Sequence, residues 1–341
     1  MRIVKRVLLG LVVIAIAVVA GGAVYQVSAS SQDAKHFPMP GERVDIGGRS
    51  LHLVCKGDGA TTVLLENGLT GNYSAWLLVQ NALAPRAKVC SYDRAGLGWS
   101  DTSPNATRAE FVAADLDKLR EAAGLRGPTI LVGWSAGGVF IRHYYHAHPD
   151  GIVGLVFVDS SHEQQGNRLP SGEEMAKVQR DNMALLGWCK RLAWTGAVRI
   201  SGAMAEAATA QHMPESIRGE SVAMSNRTDY CTGVVHEIDG FQADVSSAEP
   251  PRTLGDLPLV VLTRGLPSSA SEFPVPISQE LLDQQDRVWA ELQVELAALS
   301  SRSSHRTVAN SGHAIPIQAP EAVVAAVNDL LDGTVGAPAA P

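Results

Sequence analysis

No run or stripe of lysine and arginine occurs anywhere in the 341-residue chain, and basic residues do not interleave with aromatics. Nucleic-acid binding needs that electrostatic footprint, so a nucleic-acid partner is excluded. The balance of 28 basic and 35 acidic residues leaves a net charge of -7, ordinary for a soluble enzyme and naming no partner. There is no internal repeat, which excludes solenoids and propellers. The sharpest absence lies near the start. Residues 7–24, VLLGLVVIAIAVVAGGAV, hold no charged or strongly polar side chain. Arg2, Lys5 and Arg6 precede the run, and the next cation is Lys35. That asymmetry places the N-terminus in the cytoplasm and everything downstream outside it. The run is just long enough to span a bilayer and long for a signal peptide. Two readings of residues 1–27 stay open: a retained anchor that makes the membrane a partner, or a signal cleaved after Ala29. No cysteine follows the run, which excludes lipid attachment there.

Cysteine is scarce, with four residues, and export would place them in an oxidising compartment. Cys55 and Cys90 both lie in strand-like runs, and Cys189 and Cys231 both lie in helical ones. The expected pairs are therefore Cys55–Cys90 and Cys189–Cys231.

Beyond a polar linker at 28–41, strand and helix signals alternate. ERVDIGGRSLHLVCKG reads as a hairpin turning at Gly47-Gly48. TTVLLENG, AKVCSYDRAG, PTILVGWS and IVGLVFVDS read as strands. TRAEFVAADLDKLREAAGL is an amphipathic helix with capping-box spacing at Thr107 and Glu110 and a stop at Gly124. The strand runs lack clean polar alternation, as strands covered on both faces should. Such alternation predicts an α/β architecture, a mostly parallel sheet with helices on both faces. Residues 42–160 form the first part of this core and residues 257–333 the second. Between them, 161–256 loses the alternation and reads as a helical lid over the carboxyl ends of the strands, where open α/β sheets bind ligands. Residues 334–341 are expected to be disordered.

One serine stands out. In ILVGWSAGGVF, Ser135 sits between Gly133 and Gly137, after an apolar strand and before a helix. Side chains at either glycine would collide with a neighbouring helix or strand, so a tight, strained turn lifts the serine oxygen above the sheet. The helix that follows aims free N–H groups and its positive dipole end at the same spot. That arrangement suits a nucleophile whose product carries an oxyanion. A serine needs a base. His313, in NSGHAI after the last strand, is the best-placed histidine, with His162 as second choice. His143, His146 and His148 lie further along the helix after Ser135 and match no standard metal-ligand set. The base needs an acid to orient it. Asp159 ends the strand GLVFVDS at the same sheet edge as Ser135, and Glu272 is the alternative acid. Asp93 reads as a partner for Arg94 or a turn former. The oxyanion donors should be the backbone N–H of Ala136 and that of Leu69 in ENGLTGN. Each such donor contributes about 3 kcal/mol to transition-state stabilisation.

Taken in order, ENGLTG, SYDRAGLGWSD, GWSAGG, FVDSSH and NSGHAI resemble the α/β-hydrolase family, across residues 42 to 333. The resemblance implies an eight-stranded sheet with the lid inserted after the sixth strand, and Ser135, Asp159 and His313 as a triad. Two departures stand: Asn67-Gly68 where the family often has His-Gly, and an acid after the sixth strand instead of the seventh. A serine at the elbow argues against the family's dehalogenases and epoxide hydrolases, which use aspartate there.

The expected activity is that of a serine hydrolase cleaving a carboxyl ester of a small-molecule acyl substrate, with no cofactor and no metal. An amide or peptide hydrolase of the same fold and a non-catalytic binder are the alternatives. Activity is expected to fall as the base protonates, at about pH 6 to 7. Met175, Met183, Leu185, Leu186, Trp188 and Trp194 are expected to form the lid core, with an acyl pocket as the other reading. The oligomeric state is not readable from the sequence.

Overall fold

A computed structural model describes residues 2–202, 215–248, 251–270 and 277–335. Eight strands form one sheet: β1 (Glu42–Asp45), β2 (Ser50–Lys56), β3 (Thr62–Glu66), β4 (Lys88–Tyr92), β5 (Thr129–Trp134), β6 (Ile152–Val158), β7 (Leu259–Arg264) and β8 (Ser303–Val308). Their spatial order is β1-β2-β4-β3-β5-β6-β7-β8. β1 and β2 pair antiparallel through a turn at Gly47-Gly48, whose amides donate to Asp45 Oδ1. β2 also runs antiparallel to β4, and every later pairing is parallel.

The described helices are α1 (Arg2–His36), α2 (Leu77–Leu83), α3 (Ala109–Ala122), α4 (Ala136–Ala147), α5 (Gln165–Arg168), α6 (Glu173–Leu192), α7 (Ala197–Ser201), α8 (Glu215–Ser225), α9 (Tyr230–Asp244), α10 (Gln279–Ala297), α11 (Ile315–Gln318) and α12 (Pro320–Leu331). Alternate strand residues feed two cores. Leu64, Leu131, Leu155 and Val261 face α3, α4 and α10 on one side. Val63, Leu65, Val132, Val156 and Val260 face α2 and α12 on the other. Burial on both faces is why these strands read as unbroken apolar runs.

The lid follows β6, as expected. α6 and α9 pack around Leu186, Ala193 and Val234, and the Cys189–Cys231 disulfide joins them. Cys55 and Cys90 sit directly opposite each other on β2 and β4 and form the second disulfide. Gly233 and Gly240 lie on one face of α9, seven residues apart. A Cβ on Gly233 would stand 2.1 Å from the Gly96 carbonyl oxygen, and one on Gly240 would stand 2.5 Å from that of Thr107. The lid helix therefore meets the core backbone to backbone.

Four local expectations are corrected. The segment expected as a linker is helical to His36, because Gln26, Ser30 and Asp33 all bond Arg199 of the lid. The start of α3 has no capping box. Its N-cap is Arg108, and its Ala109 amide donates instead to Asp244 Oδ2 of α9 at 2.7 Å. The lid's apolar residues split: Leu186 and Met183 join the lid core, while Leu185, Trp188 and Trp194 face outward. Of the expected disordered tail, residues 336–341 lie outside the described residues, whereas Val335 is buried and its carbonyl accepts from Arg302.

Candidate active site

Ser135 occupies the turn between β5 and α4 with φ 53° and ψ -121°. A non-glycine residue held at positive φ stores about 1–3 kcal/mol of strain, which the surroundings must offset. They do so with hydrogen bonds. The Ser135 amide donates to Val158 O at 3.0 Å, and its carbonyl accepts from Gly138 N and Ser161 N. The two glycines are sterically required. A Cβ at Gly133 would stand 2.6 Å from the Gly137 carbonyl, and one at Gly137 would stand 2.5 Å from Glu66 O.

Asp159 follows β6 and is itself at positive φ, 41°. Its side chain is 0% exposed and fully engaged. Oδ2 faces His313 Nδ1 at 2.6 Å and accepts from Arg264 Nη1 at 3.0 Å. Oδ1 accepts from Trp289 Nε1 at 2.9 Å and from the Arg264 amide at 3.1 Å. Burial alone pushes this carboxyl up. The hydrogen bond and charge of His313, with Arg264 and Trp289, outweigh it and hold the group below the usual carboxylate range.

His313 is 43% exposed at the side chain. Its ring lies between Trp134 and Trp289, at centroid distances of 5.8 and 5.9 Å. Its carbonyl accepts from Trp134 Nε1 at 2.8 Å, tying the histidine loop to the residue before Ser135. A carboxylate at Nδ1 places the ring proton there and leaves Nε2 as a free acceptor. Among the described residues neither Nε2 nor the Ser135 hydroxyl has a hydrogen-bond partner.

The ENGLTG loop closes the other side. A Cβ on Gly68 would lie 3.3 Å from Ser135 Cβ. Leu69 packs against the cluster containing Ala136 and Phe140. The Leu69 and Ala136 amides have no acceptor among the described residues. Arg94, 2% exposed, fixes the loop from beneath. Its Nη1 donates to Asn67 O at 2.8 Å and its Nη2 to Gly68 O at 2.7 Å. The same guanidinium bonds Glu66 Oε1 at 2.5 Å and Glu237 Oε1 at 2.6 Å. Glu237 comes from lid helix α9 and its other oxygen accepts from the Thr70 amide, while Tyr92 donates to Glu66. Burial raises the Glu66 carboxyl despite the adjacent Arg94.

The remaining candidates sit elsewhere. Glu272 lies outside the described residues. His162 is buried, with Nδ1 accepting from the Gln164 amide and Nε2 facing Glu295 at 3.5 Å. His143 and His146 line a separate cavity with Arg142 and Arg252. Asp93 is a turn former but not the partner of Arg94. It binds His52 Nδ1 at 2.7 Å and accepts from the Tyr73 and Trp99 amides. Arg264, Trp289, Glu66 and Glu237 escaped the sequence reading. Only Arg264 carried a local signal, as a cation ending the strand beside Asp159.

Residues 61–192 match a family model described as alpha/beta hydrolase fold. A probable transporter, efuK, of Hormonema carpetanum is 38% identical over 138 residues, 38% of this chain and 20% of that protein. The chain therefore spans about a fifth of that relative's length. An AB hydrolase superfamily protein of Gibberella zeae is 25% identical over 83% of this chain and 91% of its own. Among solved structures, a bacterial membrane phospholipase A superposes with a TM-score of 0.62 at 19% identity, over 96% of this chain and 98% of that one. That superposition speaks for the fold alone. Together with the matched segment and the strand order, it shows that the chain has the α/β-hydrolase fold.

Proposed function

We propose that the protein is a serine hydrolase that cleaves a carboxyl ester through an acyl-enzyme, held outside the cytoplasm by its N-terminal helix. Ser135 Oγ attacks the ester carbonyl carbon, and its proton passes to His313 Nε2. The carbonyl oxygen becomes an oxyanion that accepts from the Leu69 and Ala136 amides. As the tetrahedral intermediate collapses, the bond to the alkoxy oxygen breaks, and His313 returns the proton to the leaving alcohol. Water then attacks the acyl-serine with His313 again as base, releasing the acid and restoring Ser135. Asp159 keeps the ring proton at Nδ1 and stabilises the imidazolium.

The observation that carries the reading is Asp159, buried and short-bonded to His313 Nδ1, beside a serine held on a strained turn. A fluorophosphonate probe followed by peptide mapping tests it. The expected product is a single adduct on Ser135, absent in Ser135→Ala and weak in His313→Ala. Ester hydrolysis in Ser135→Ala should fall by a factor on the order of 10^6 in kcat. Unchanged hydrolysis in that variant, or labelling elsewhere, refutes the proposal.

A further inference from the structure

Helix α6 has two apolar faces. One, through Leu186 and Cys189, enters the lid core. The other, Leu185, Trp188 and Leu192, recurs at intervals of three and four residues and faces outward. Trp194 and, on α7, Ile200 extend it. Trp188 is 59% exposed, Trp194 53% and Ile200 69%. Solvent-facing tryptophans beside two leucines and an isoleucine are an unusual expense for a surface with no occupant.

The position of α1 indicates the occupant. A Cβ on Gly22 would stand 2.2 Å from the Thr195 carbonyl oxygen, so α1 touches the backbone one residue beyond Trp194. Below that contact the helix is clamped to the lid. Gln26 Nε2 donates to Asn226 O at 2.8 Å, and Arg199 bonds Gln26, Ser30 and Asp33. Above it, the apolar residues from Ile3 to Val19 stand free of the protein. The contact falls at the outer end of the 7–24 run. Those 18 residues rise about 27 Å, close to the thickness of a bilayer's hydrocarbon core. Trp194 thus lies at the depth where a spanning α1 leaves the lipid, the level that tryptophan prefers. The charge agrees. Residues 182–202 contain no Asp or Glu, and α6 ends in exposed Lys190 and Arg191, with Arg191 stacked on Trp188.

We propose that this outer face of the lid docks on the lipid bilayer, with Trp188, Trp194, Leu192 and Ile200 entering the headgroup region. The proposal rests on α1 being a membrane-spanning anchor. Docking would hold the lid and the mouth beneath it against the source of any lipid ester.

The test uses the full chain reconstituted into phosphatidylcholine vesicles, with and without brominated acyl chains, and the Trp188→Phe/Trp194→Phe double variant. Tryptophan fluorescence of the parent should be quenched by brominated lipid, and the variant should lose most of that quenching. Trp76, Trp134 and Trp289 are buried and contribute little to it. Equal quenching in parent and variant, or none in the parent, overturns docking. If the variant also converts a dimer to a monomer in detergent, a second copy covers the face and docking is overturned. Alkaline carbonate extraction separates the two readings. A chain that stays in the vesicles without quenching refutes docking alone, and a chain that is released refutes the anchor and docking together.

Discussion

Arg94→Leu isolates the contribution of the buried network under the Ser135 site. The substitution removes four donor contacts at once: two to the carboxylates of Glu66 and Glu237, and two to the carbonyls of Asn67 and Gly68. Both carboxylates are 1% exposed, so neither can recover water. Breaking a buried ion pair by removing one partner costs about 3–5 kcal/mol. Against a total stability of about 5–15 kcal/mol that loss is large. In a chain of this size it lowers the melting temperature by about 4–7 °C. The loss should depend on pH, and its sign follows from burial. Burial already pushes the Glu66 carboxyl up with Arg94 present, and without the guanidinium the Tyr92 hydrogen bond is left to oppose it. A carboxyl whose folded pKa is raised contributes most below its unfolded value and loses that contribution as pH rises through the folded one. The variant should therefore approach the parent near pH 5 and fall furthest behind near pH 8. Circular-dichroism melts at the two values read this directly, and adding Glu66→Gln should recover part of the deficit at pH 8. A melting temperature within about 2 °C of the parent, or a deficit independent of pH, would show that Arg94 does not neutralise a buried pair.

Other outcomes follow from single contacts. Trp289→Phe removes one hydrogen bond to the Asp159 carboxylate while keeping the ring against His313. It should lower kcat about tenfold with KM unchanged, measured on a soluble ester. Asp159 is held below the carboxylate range, so its contribution to stability is present above the unfolded value and lost as pH falls through the folded one. Acid titration of the melting temperature should show a step below about pH 4 that Asp159→Asn abolishes. Asp244 behaves oppositely: burial, only partly offset by the Ala109 amide and Arg108, raises it to about 6. Stability should fall as pH rises from about 4 towards that value, and Asp244→Asn should flatten this slope. Cys189→Ala/Cys231→Ala opens a loop spanning 42 residues. The chain-entropy model gives about 4 kcal/mol for that loop, checked by denaturant unfolding.

What was legible in the sequence was written in consecutive residues. The tight turn at Ser135 needs small residues two positions away on each side, and Gly133 and Gly137 supply them next to β5. The inner strands β3 to β7 declared themselves because burial on both faces makes each a short, largely apolar run. What was not legible depends on partners distant in sequence. Helix α1 continues to His36 because Arg199, more than 160 residues later, holds its polar last turns. The start of α3 draws its cap from Asp244, and no spacing rule around Thr107 could have shown it. Periodicity also failed at α6, for a different reason. A helix with two apolar faces does not say which one meets protein, and Trp188 lies on the face that does not.

The deepest of these non-local features is the face of α9. Gly233, Glu237 and Gly240 are spaced to lie together along one side of the helix. The two glycines bring its backbone against the core at Gly96 and Thr107, and Glu237, between them, reaches Arg94 and the Thr70 amide. Lid placement and the shape of the ENGLTG loop are thereby one structural decision. A lid displaced by even a hydrogen-bond length would leave Arg94 short of an acceptor and free the carbonyls of Asn67 and Gly68 to turn. If the Leu69 amide receives an oxyanion, then Glu237→Gln should lower kcat through that loop. Fluorophosphonate labelling of Ser135 should slow in step, because the tetrahedral phosphorus adduct needs the same donor. Slowed turnover with unchanged labelling would place the effect of α9 on substrate access, not on the loop.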